Sequence, residues 1–431
     1  MTSLELTTER LCVLGLGYVG LPTAAIFANN GFNVVGVDVN KSLICDIKSG
    51  TVPNDLGLSV LVQDCLKAGN LVLSELPVDA DVFVIAVPTP LHTDKASNTV
   101  GNSPRADLTA LVAAAKSIVP YIRPGNMVVL ESTVPPKTTV DVLLPIFRDS
   151  GLAEDLDLVF CAERVLPGQI LEELVNNDRI VGGLNSSSAA RAKKLYSTFS
   201  NGRIFTTDST TAELVKLMEN TSRDVNVALA NEFSILADNL GIDAWEAIQL
   251  ANTHPRTDIL APGPGVGGHC IPVDPWFVAQ EFPEDSELIQ AARRVNDKMP
   301  SRIVEKICTT LRRSSGESEF GGITVACLGL TYKRDVDDVR GSPALEIVKL
   351  LSEIGLIVRS YDPYVSKGNF TGQVGSLTEA LHGADVVVIL TDHREFRMLS
   401  EDYLSDGGRR LIFDTRNCIT LNRDDLECNS D

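Results

Sequence analysis

Apolar residues fall along this chain in short blocks separated by longer amphipathic stretches, and the order of the blocks repeats. Residues 11–15 form a short apolar block ending in Gly15, and residues 21–30 have helical character. Phe32-Asn33-Val34-Val35-Gly36-Val37-Asp38 is a second strand candidate, closed by an acid. Residues 82–87, 127–130 and 156–160 are further apolar blocks. Short continuous apolar runs suit strands buried on both faces. Their alternation with helices predicts a parallel sheet covered on both sides.

Residues 210–240 read as one long helix. Thr210 and Glu213 have capping-box spacing at its start, and Gly241 is the expected stop. At 1.5 Å per residue it would span about 45 Å. A helix of that length needs burial along much of its surface, so it is expected to link domains and to pack against another subunit. From about Gly321 the early pattern returns. Val325-Ala326-Cys327-Leu328-Gly329-Leu330 echoes the first block without the full glycine set. Leu356-Ile357-Val358-Arg359-Ser360-Tyr361-Asp362 echoes residues 34–38, and residues 384–390 echo residues 80–86. The predicted fold class is α/β, with two doubly wound Rossmann-like domains joined by a long central helix and a helical middle region. Pro300, Ser301 and the polar run 312–318 mark a boundary. The expected domains are 1–205, 206–300 and 301–431, and the polar residues after Leu421 are expected to be disordered.

Composition narrows the field. The 431 residues are 44% hydrophobic and 22% charged, as in ordinary globular proteins. A formal net charge of −19 argues against sequence-independent nucleic-acid binding. No apolar run approaches the roughly 18–20 residues that cross a bilayer, so no membrane association is expected. The first residues lack a basic segment followed by an apolar one. The nine cysteines show neither a CxxC pair nor zinc-like spacing. They are read as reduced thiols of a cytoplasmic protein without a metal.

Within that frame, Gly15, Gly17 and Gly20, with Tyr18 and Val19 between them, fit GxGxxG. The first two glycines let the backbone turn tightly and approach a pyrophosphate, and the third lets helix and strand pack closely. Asp38 lies 18 residues past Gly20, at the end of the next strand. A carboxylate there accepts ribose hydroxyls and repels a 2′-phosphate, which favours NAD over NADP. Val87-Pro88-Thr89-Pro90 and Glu131-Ser132-Thr133-Val134-Pro135 each follow a strand, where ligands of such sheets sit. Thr89 and Thr133 are therefore candidates to line the crevice, although such hydroxyls more often shape turns.

A second group of residues suggests chemistry. Lys216 and Asn220 are four apart on the long helix and share a face. Glu163 follows the strand at 156–160. Gly265-Val266-Gly267-Gly268-His269-Cys270 sets a cysteine after a glycine-rich bend, with Asp274 four residues on. A lone cysteine is more often core, but this loop gives backbone shape without side chains, as a close-fitting ligand loop would. His269 is a candidate base for the thiol, against the commoner reading of a structural histidine.

Taken together, residues 15–20, Pro88-Thr89-Pro90, Glu131-Ser132-Thr133, Glu163-Arg164-Val165-Leu166-Pro167-Gly168, Lys216 with Asn220, Gly265 to Cys270 with Asp274, and Lys333 with Asp338 and Arg340 resemble the nucleotide-sugar 6-dehydrogenases of the UDP-glucose and UDP-mannose type. The resemblance runs from about residue 10 to residue 416. Segments 162–168, 219–231 and 262–277 look most like the subgroup acting on UDP-N-acetyl-D-mannosamine. The resemblance implies a four-electron oxidation of C6 from alcohol to acid, with NAD as cofactor and Cys270 carrying a thiohemiacetal and then a thioester. Lys216 and Asn220 would stabilise oxyanions, Asp274 and Glu163 would manage protons and hydrolysis, and Thr133 would position water. Implied substrate contacts are Glu163, Arg164, Val165, Lys216, Asn220, Arg256, Ile259, Gly263, Gly267, Lys333 and Arg416, with Arg256 presented across a dimer interface and Arg340 reaching the cofactor. The implied assembly is a homodimer or a higher even homo-oligomer, and the region 301–431 would bind the UDP-sugar.

There are departures. The family usually reads Arg-Glu-Ser-Pro where this chain has Arg340-Gly341-Ser342-Pro343, and Val52-Pro53-Asn54-Asp55 lacks a common Glu-Pro pair. Rival readings are UDP-N-acetylglucosamine or UDP-glucose as substrate, a single-step 3-hydroxyacid dehydrogenase, and a non-catalytic nucleotide-sugar-binding regulator. Intact Cys270, Lys216, Asp274 and Glu163 argue against the last.

Overall fold

The computed structural model describes residues 9–52, 56–92, 104–151, 155–165, 169–315, 320–366 and 370–419. The segments 53–55 and 166–168 and the tail after Leu421, discussed above, lie outside the described residues. The chain forms two compact units, Met1–Glu219 with Trp276–Asp285, and Asn220–Pro275 with Ser286–Asp431.

In the first unit, β1 (Arg10–Leu14), β2 (Asn33–Val37), β3 (Leu71–Ser74), β4 (Val82–Ile85), β5 (Met127–Leu130), β6 (Asp157–Phe160), β7 (Arg179–Gly183) and β8 (Ile204–Asp208) build one sheet in the order β3-β2-β1-β4-β5-β6-β7-β8. All neighbours are parallel except β6 and β7. The continuous apolar runs follow from burial on both faces. Leu11, Val13, Val34 and Val84 pack on one side, with Phe27 of the helix Gly20–Asn29. Cys12, Leu14, Val35, Phe83 and Ile85 pack on the other. Strand order reverses direction beside β1, which opens a crevice at the carboxyl ends of β1 and β4.

The second unit carries a smaller parallel sheet of β9 (Thr324–Leu328), β10 (Ile357–Tyr361), β11 (Val386–Ile389) and β12 (Leu411–Asp414), in the order β10-β9-β11-β12. It repeats the head of the first sheet closely. Gly329 has φ +93 and Gly15 φ +90. Gly329 N–H donates to Tyr361 O at 2.8 Å, as Gly15 N–H does to Val37 O at 2.8 Å. Leu330 N–H donates to the Asp362 carboxylate at 2.6 Å, as Leu16 N–H does to Asp38 at 2.9 Å. The outcome differs in one respect. His393 is fully buried, and its Nε2 lies 3.0 Å from Asp362 Oδ2. Asp335 N–H donates to its Nδ1 at 2.9 Å, so Nε2 is the nitrogen that donates to the acid. The strand-end acid of the second sheet is thereby sealed.

Local detail departs from the sequence pattern in places. The long helix runs Ser209–Leu240 and stops at Gly241, φ +70, but Thr210 and Glu213 do not form its capping box. Asp208 accepts Thr211 N–H at 2.9 Å and Thr211 Oγ1–H at 2.6 Å, and so holds that end. Pro300 and Ser301, read from the sequence as marking a boundary, lie inside the helix Glu287–Ser315. The missing donor is tolerated because Met299, Ile303, Val304 and Ile307 bury that helix's apolar face. The strands β7 and β8 were not anticipated from the sequence. No described helix is long and apolar enough to cross a membrane.

Candidate active site

In the first unit, the turn after β1 separates two kinds of glycine. A Cβ on Gly15 would lie 2.4 Å from Ala86 O, and one on Gly20 only 1.9 Å from Gly15 O. Both positions are filled by the protein itself. A Cβ on the exposed Gly17 would meet nothing within 4 Å. Gly20 opens the helix Gly20–Asn29, and Val19 before it makes no side-chain cap. A helix start without a side-chain cap, beside an open glycine, suits a pyrophosphate. The Asp38 carboxylate is aimed by two backbone donors, Leu16 N–H at 2.9 Å and Asn40 N–H at 2.8 Å, and stays half-buried. Thr89 Oγ1–H donates to Thr133 O at 2.7 Å, and Ser132 Oγ–H to Val87 O at 2.7 Å, which stitches together the loops after β4 and β5. These residues fit a dinucleotide.

Beyond that crevice, Lys216 donates from Nζ to Glu163 O at 2.8 Å. The Glu163 carboxylate accepts Val165 N–H at 2.5 Å. Arg164 grips Glu219 with two donors, Nε at 3.1 Å and Nη2 at 2.5 Å, and reaches Asp178 O at 2.9 Å. Two residues three apart on the long helix, Lys216 and Glu219, thus hold the 163–165 loop. Glu219 was missed, because an exposed-looking helical acid gives no sign of its partner.

In the second unit, Asn220 Nδ2 donates to Asp274 Oδ2 at 2.6 Å, and Asp274 is 2% exposed. Cys270 O accepts Val273 N–H at 3.0 Å and Asp274 N–H at 2.9 Å, which fixes the turn into the helix Asp274–Glu281. The cysteine itself is half-buried. Burial pushes the thiols of Cys12 and Cys161 up to about 11 and those of Cys327 and Cys418 to about 12, which disqualifies them as thiolate nucleophiles. The loop before Cys270 is tight. A Cβ on Gly267 would lie 2.5 Å from Tyr332 Cβ, and Gly268 N–H donates to Arg340 O at 3.0 Å. Gly341, which replaces the expected glutamate, has φ +58, and a Cβ there would lie 2.9 Å from Gly268 O.

Other predicted residues have mixed surroundings. Gly263 N–H donates to Asn231 Oδ1 at 2.8 Å, and Arg416 lies over Gly263 while pairing with Asp392 at 3.1 Å. Ile259 is held on both sides by Asn252. Lys333 O accepts Thr331 Oγ1–H at 2.8 Å. Arg340 is engaged by Asp338, with Nη2 to Oδ2 at 2.6 Å. Burial raises the Asp338 carboxyl, but the Arg340 donors outweigh it and hold the group below the usual range. Arg256 is exposed. A buried polar chain went unforeseen. Arg293 donates to Asp224 at 2.5 Å, Asn296 to Asp224 at 2.8 Å and Asn231 to Asn296 at 2.9 Å, ending at the Gly263 amide. Only the polar residues recurring along an otherwise apolar helix hinted at it. Among the described residues, no group of three or more His, Cys, Asp or Glu could hold a metal ion.

A doubly wound sheet with an open-glycine turn and a strand-end acid defines a dinucleotide-binding protein of the α/β class. The chain belongs to the UDP-glucose/GDP-mannose dehydrogenase family. Residues 9–200 match its NAD binding domain, 210–298 its central domain and 326–421 its UDP binding domain. It is 45% identical over 417 residues to the UDP-N-acetyl-D-mannosamine dehydrogenase of Methanocaldococcus jannaschii, covering 95% of this chain and 93% of that one. It is 40% identical to an NDP-N-acetyl-D-galactosaminuronic acid dehydrogenase of Ralstonia solanacearum, covering 98% and 99%. The solved UDP-D-ManNAc dehydrogenase of Pyrococcus horikoshii superposes with a TM-score of 0.87 at 41% identity, over 95% of this chain and 96% of that one.

Proposed function

We infer that this chain oxidises the C6 hydroxyl of UDP-N-acetyl-D-mannosamine to the carboxylate, through a thioester on Cys270. The observation that carries the choice of sugar is the near full-length similarity to proteins named for it. Bound NAD supplies the hydride acceptor for each of the two oxidations. Gly15, Gly17, Tyr18, Val19, Gly20, Asp38 and Thr89 would hold it, with Arg340 reaching its phosphates.

In this reading the Cys270 thiolate forms a C–S bond to the C6 aldehyde. Loss of the second hydride leaves a thioester. Water adds, the C–S bond breaks, the thiol is restored and the carboxylate departs with its protons released to solvent. Lys216 and Asn220 stabilise the oxyanions by charge and hydrogen bonding. Asp274 takes protons, Glu163 assists hydrolysis and Thr133 positions water. Arg164, Val165, Ile259, Gly263, Gly267, Lys333 and Arg416 contact the UDP-sugar, and Arg256 does so from a partner copy. The working unit is a homodimer, and the apolar surface at Leu229, Phe233, Leu236 and Leu240, each at least 41% exposed, supports it. The uronate product suits cytoplasmic synthesis of surface polysaccharide or glycan precursors. A second reading, another N-acetylhexosamine nucleotide, is favoured by the Ralstonia relative.

The test is a panel of UDP-sugars offered with NAD, reading NADH formed per sugar consumed. The mannosamine sugar should be preferred, with a ratio near two. Cys270→Ala should bind NAD and yield no acid. Acid production by that variant at the native rate would overturn the covalent route.

A further inference from the structure

We propose that Glu213 is a positioning residue for the oxidation, tying the loop that carries Thr133 to the helix that carries Lys216. The proposal rests on the catalytic reading above.

Glu213 is fully buried on the helix Ser209–Leu240. Its carboxylate is taken up by another segment of the chain. Oε2 accepts Lys137 N–H at 2.6 Å, and Oε1 accepts Thr139 N–H at 2.8 Å and Thr139 Oγ1–H at 2.5 Å. The segment it grips is not relaxed chain. Lys137 holds φ +71, a left-handed conformation that a lysine adopts only when its surroundings impose it. Thr138 closes the same turn by donating from Oγ1 to Pro135 O at 2.7 Å. Four residues upstream of Lys137 is Thr133, whose carbonyl is already tied to Thr89.

Three residues further along the long helix, on the same face, Lys216 reaches Glu163 O. One turn of helix therefore sets the register of the loop after β5, the loop after β6 and the lysine. A carboxylate is required, because the donors need two acceptor oxygens. Glutamine would turn an N–H₂ group toward a backbone N–H. Aspartate is one methylene short. Burial pushes the Glu213 carboxyl up to about 7 against these donors, with the Asp141 charge adding to the rise.

The experiment uses full-length Glu213→Gln and Thr139→Val, with UDP-N-acetyl-D-mannosamine and NAD as probes. Glu213→Gln should fold, bind NAD within about twofold of wild type and keep its KM for the sugar, while kcat falls at least tenfold. Thr139→Val, which removes one donor and leaves Glu213 in place, should lose severalfold in kcat with the same KM. Unchanged kcat in a folded Glu213→Gln, or in Thr139→Val if the first variant fails to fold, overturns the proposal. Amide hydrogen exchange at residues 137–139 gives a readout free of activity. Exchange there should quicken in the variants even if wild type oxidises no UDP-sugar, which would count against the catalytic reading alone. Unaltered protection overturns the clamp.

Discussion

Replacing Gly17 with alanine asks whether the turn at the head of the first sheet is shaped for the chain or for a ligand. A methyl group there meets no protein atom within 4 Å, and the residue's backbone is not left-handed. Folding should therefore tolerate it. By removing freedom from the unfolded chain it should stabilise the protein by about 0.4–1 kcal/mol. If a pyrophosphate must approach this backbone, the same methyl occupies its place. Overpacking of that kind costs about 1–3 kcal/mol, or roughly five- to 150-fold in NAD affinity. Gly15→Ala and Gly20→Ala are the contrast. Their Cβ atoms would lie 2.4 Å and 1.9 Å from backbone oxygens, so the fold itself must shift, at a cost of about 1–3 kcal/mol or more. Calorimetric titration with NAD, run beside thermal unfolding without it, separates the two classes. The reasoning is refuted if Gly17→Ala binds NAD within twofold of wild type, or if it melts as early as Gly15→Ala.

Further expectations follow from other sites. Asp38→Ala should lower the NAD-to-NADP preference in kcat/KM by at least about tenfold, a charge-assisted contact being of that order, and an unchanged ratio would sink this role for the strand-end acid. Arg293→Met strands the fully buried Asp224 without its partner, so denaturant unfolding should show a loss of about 3–5 kcal/mol; a neutral result would mean the pair is dispensable. Phe233→Glu with Leu236→Glu should give a monomer by light scattering, and a persistent dimer would place the interface elsewhere. Burial raises the Asp362 carboxyl, but His393 and the backbone donors outweigh it and hold the group below the usual carboxylate range. Its stabilising contribution is then present above the ordinary carboxylate pKa and is lost as pH falls through the depressed value. The stability gap between wild type and Asp362→Asn should accordingly hold steady above about pH 5 and narrow as pH falls below the ordinary carboxylate value of about 4, and a constant gap would contradict the assignment.

Much of this architecture is legible in local pattern. The blocks that became β1, β2, β4 and β5 are apolar without interruption because both of their faces are covered. The echo at Gly329 and Asp362 was readable because the same turn geometry demands the same residues in both sheets. What escaped was partner choice across long separations. Glu213 has the spacing of a capping box with Thr210, yet Asp208 does that work, and the carboxylate serves a segment 74 residues away. The strand β8 reads Ile-Phe-Thr-Thr-Asp and is largely exposed, so periodicity gave no signal. Arg340 is assigned to the cofactor by resemblance, and the acid that pairs with it in the structure, Asp338 two residues before it, went unremarked as its partner. A charged side chain's nearest acid is seldom visible in its spacing.

The buried imidazole of His393 on Asp362 has a consequence for bookkeeping of electrons. The strand-end acid of the second sheet, in the region that matches the UDP binding domain, is taken up by an internal side chain, whereas Asp38 of the first sheet stays half-buried, so the seat proposed for the hydride acceptor belongs to the first sheet. The four-electron oxidation proposed above would then visit that seat twice. On the proposed covalent route, spent coenzyme would have to leave and a fresh molecule enter while the half-processed sugar waits on its sulfur anchor, and the lifetime of that tethered state would set how much free coenzyme the cell must keep at hand.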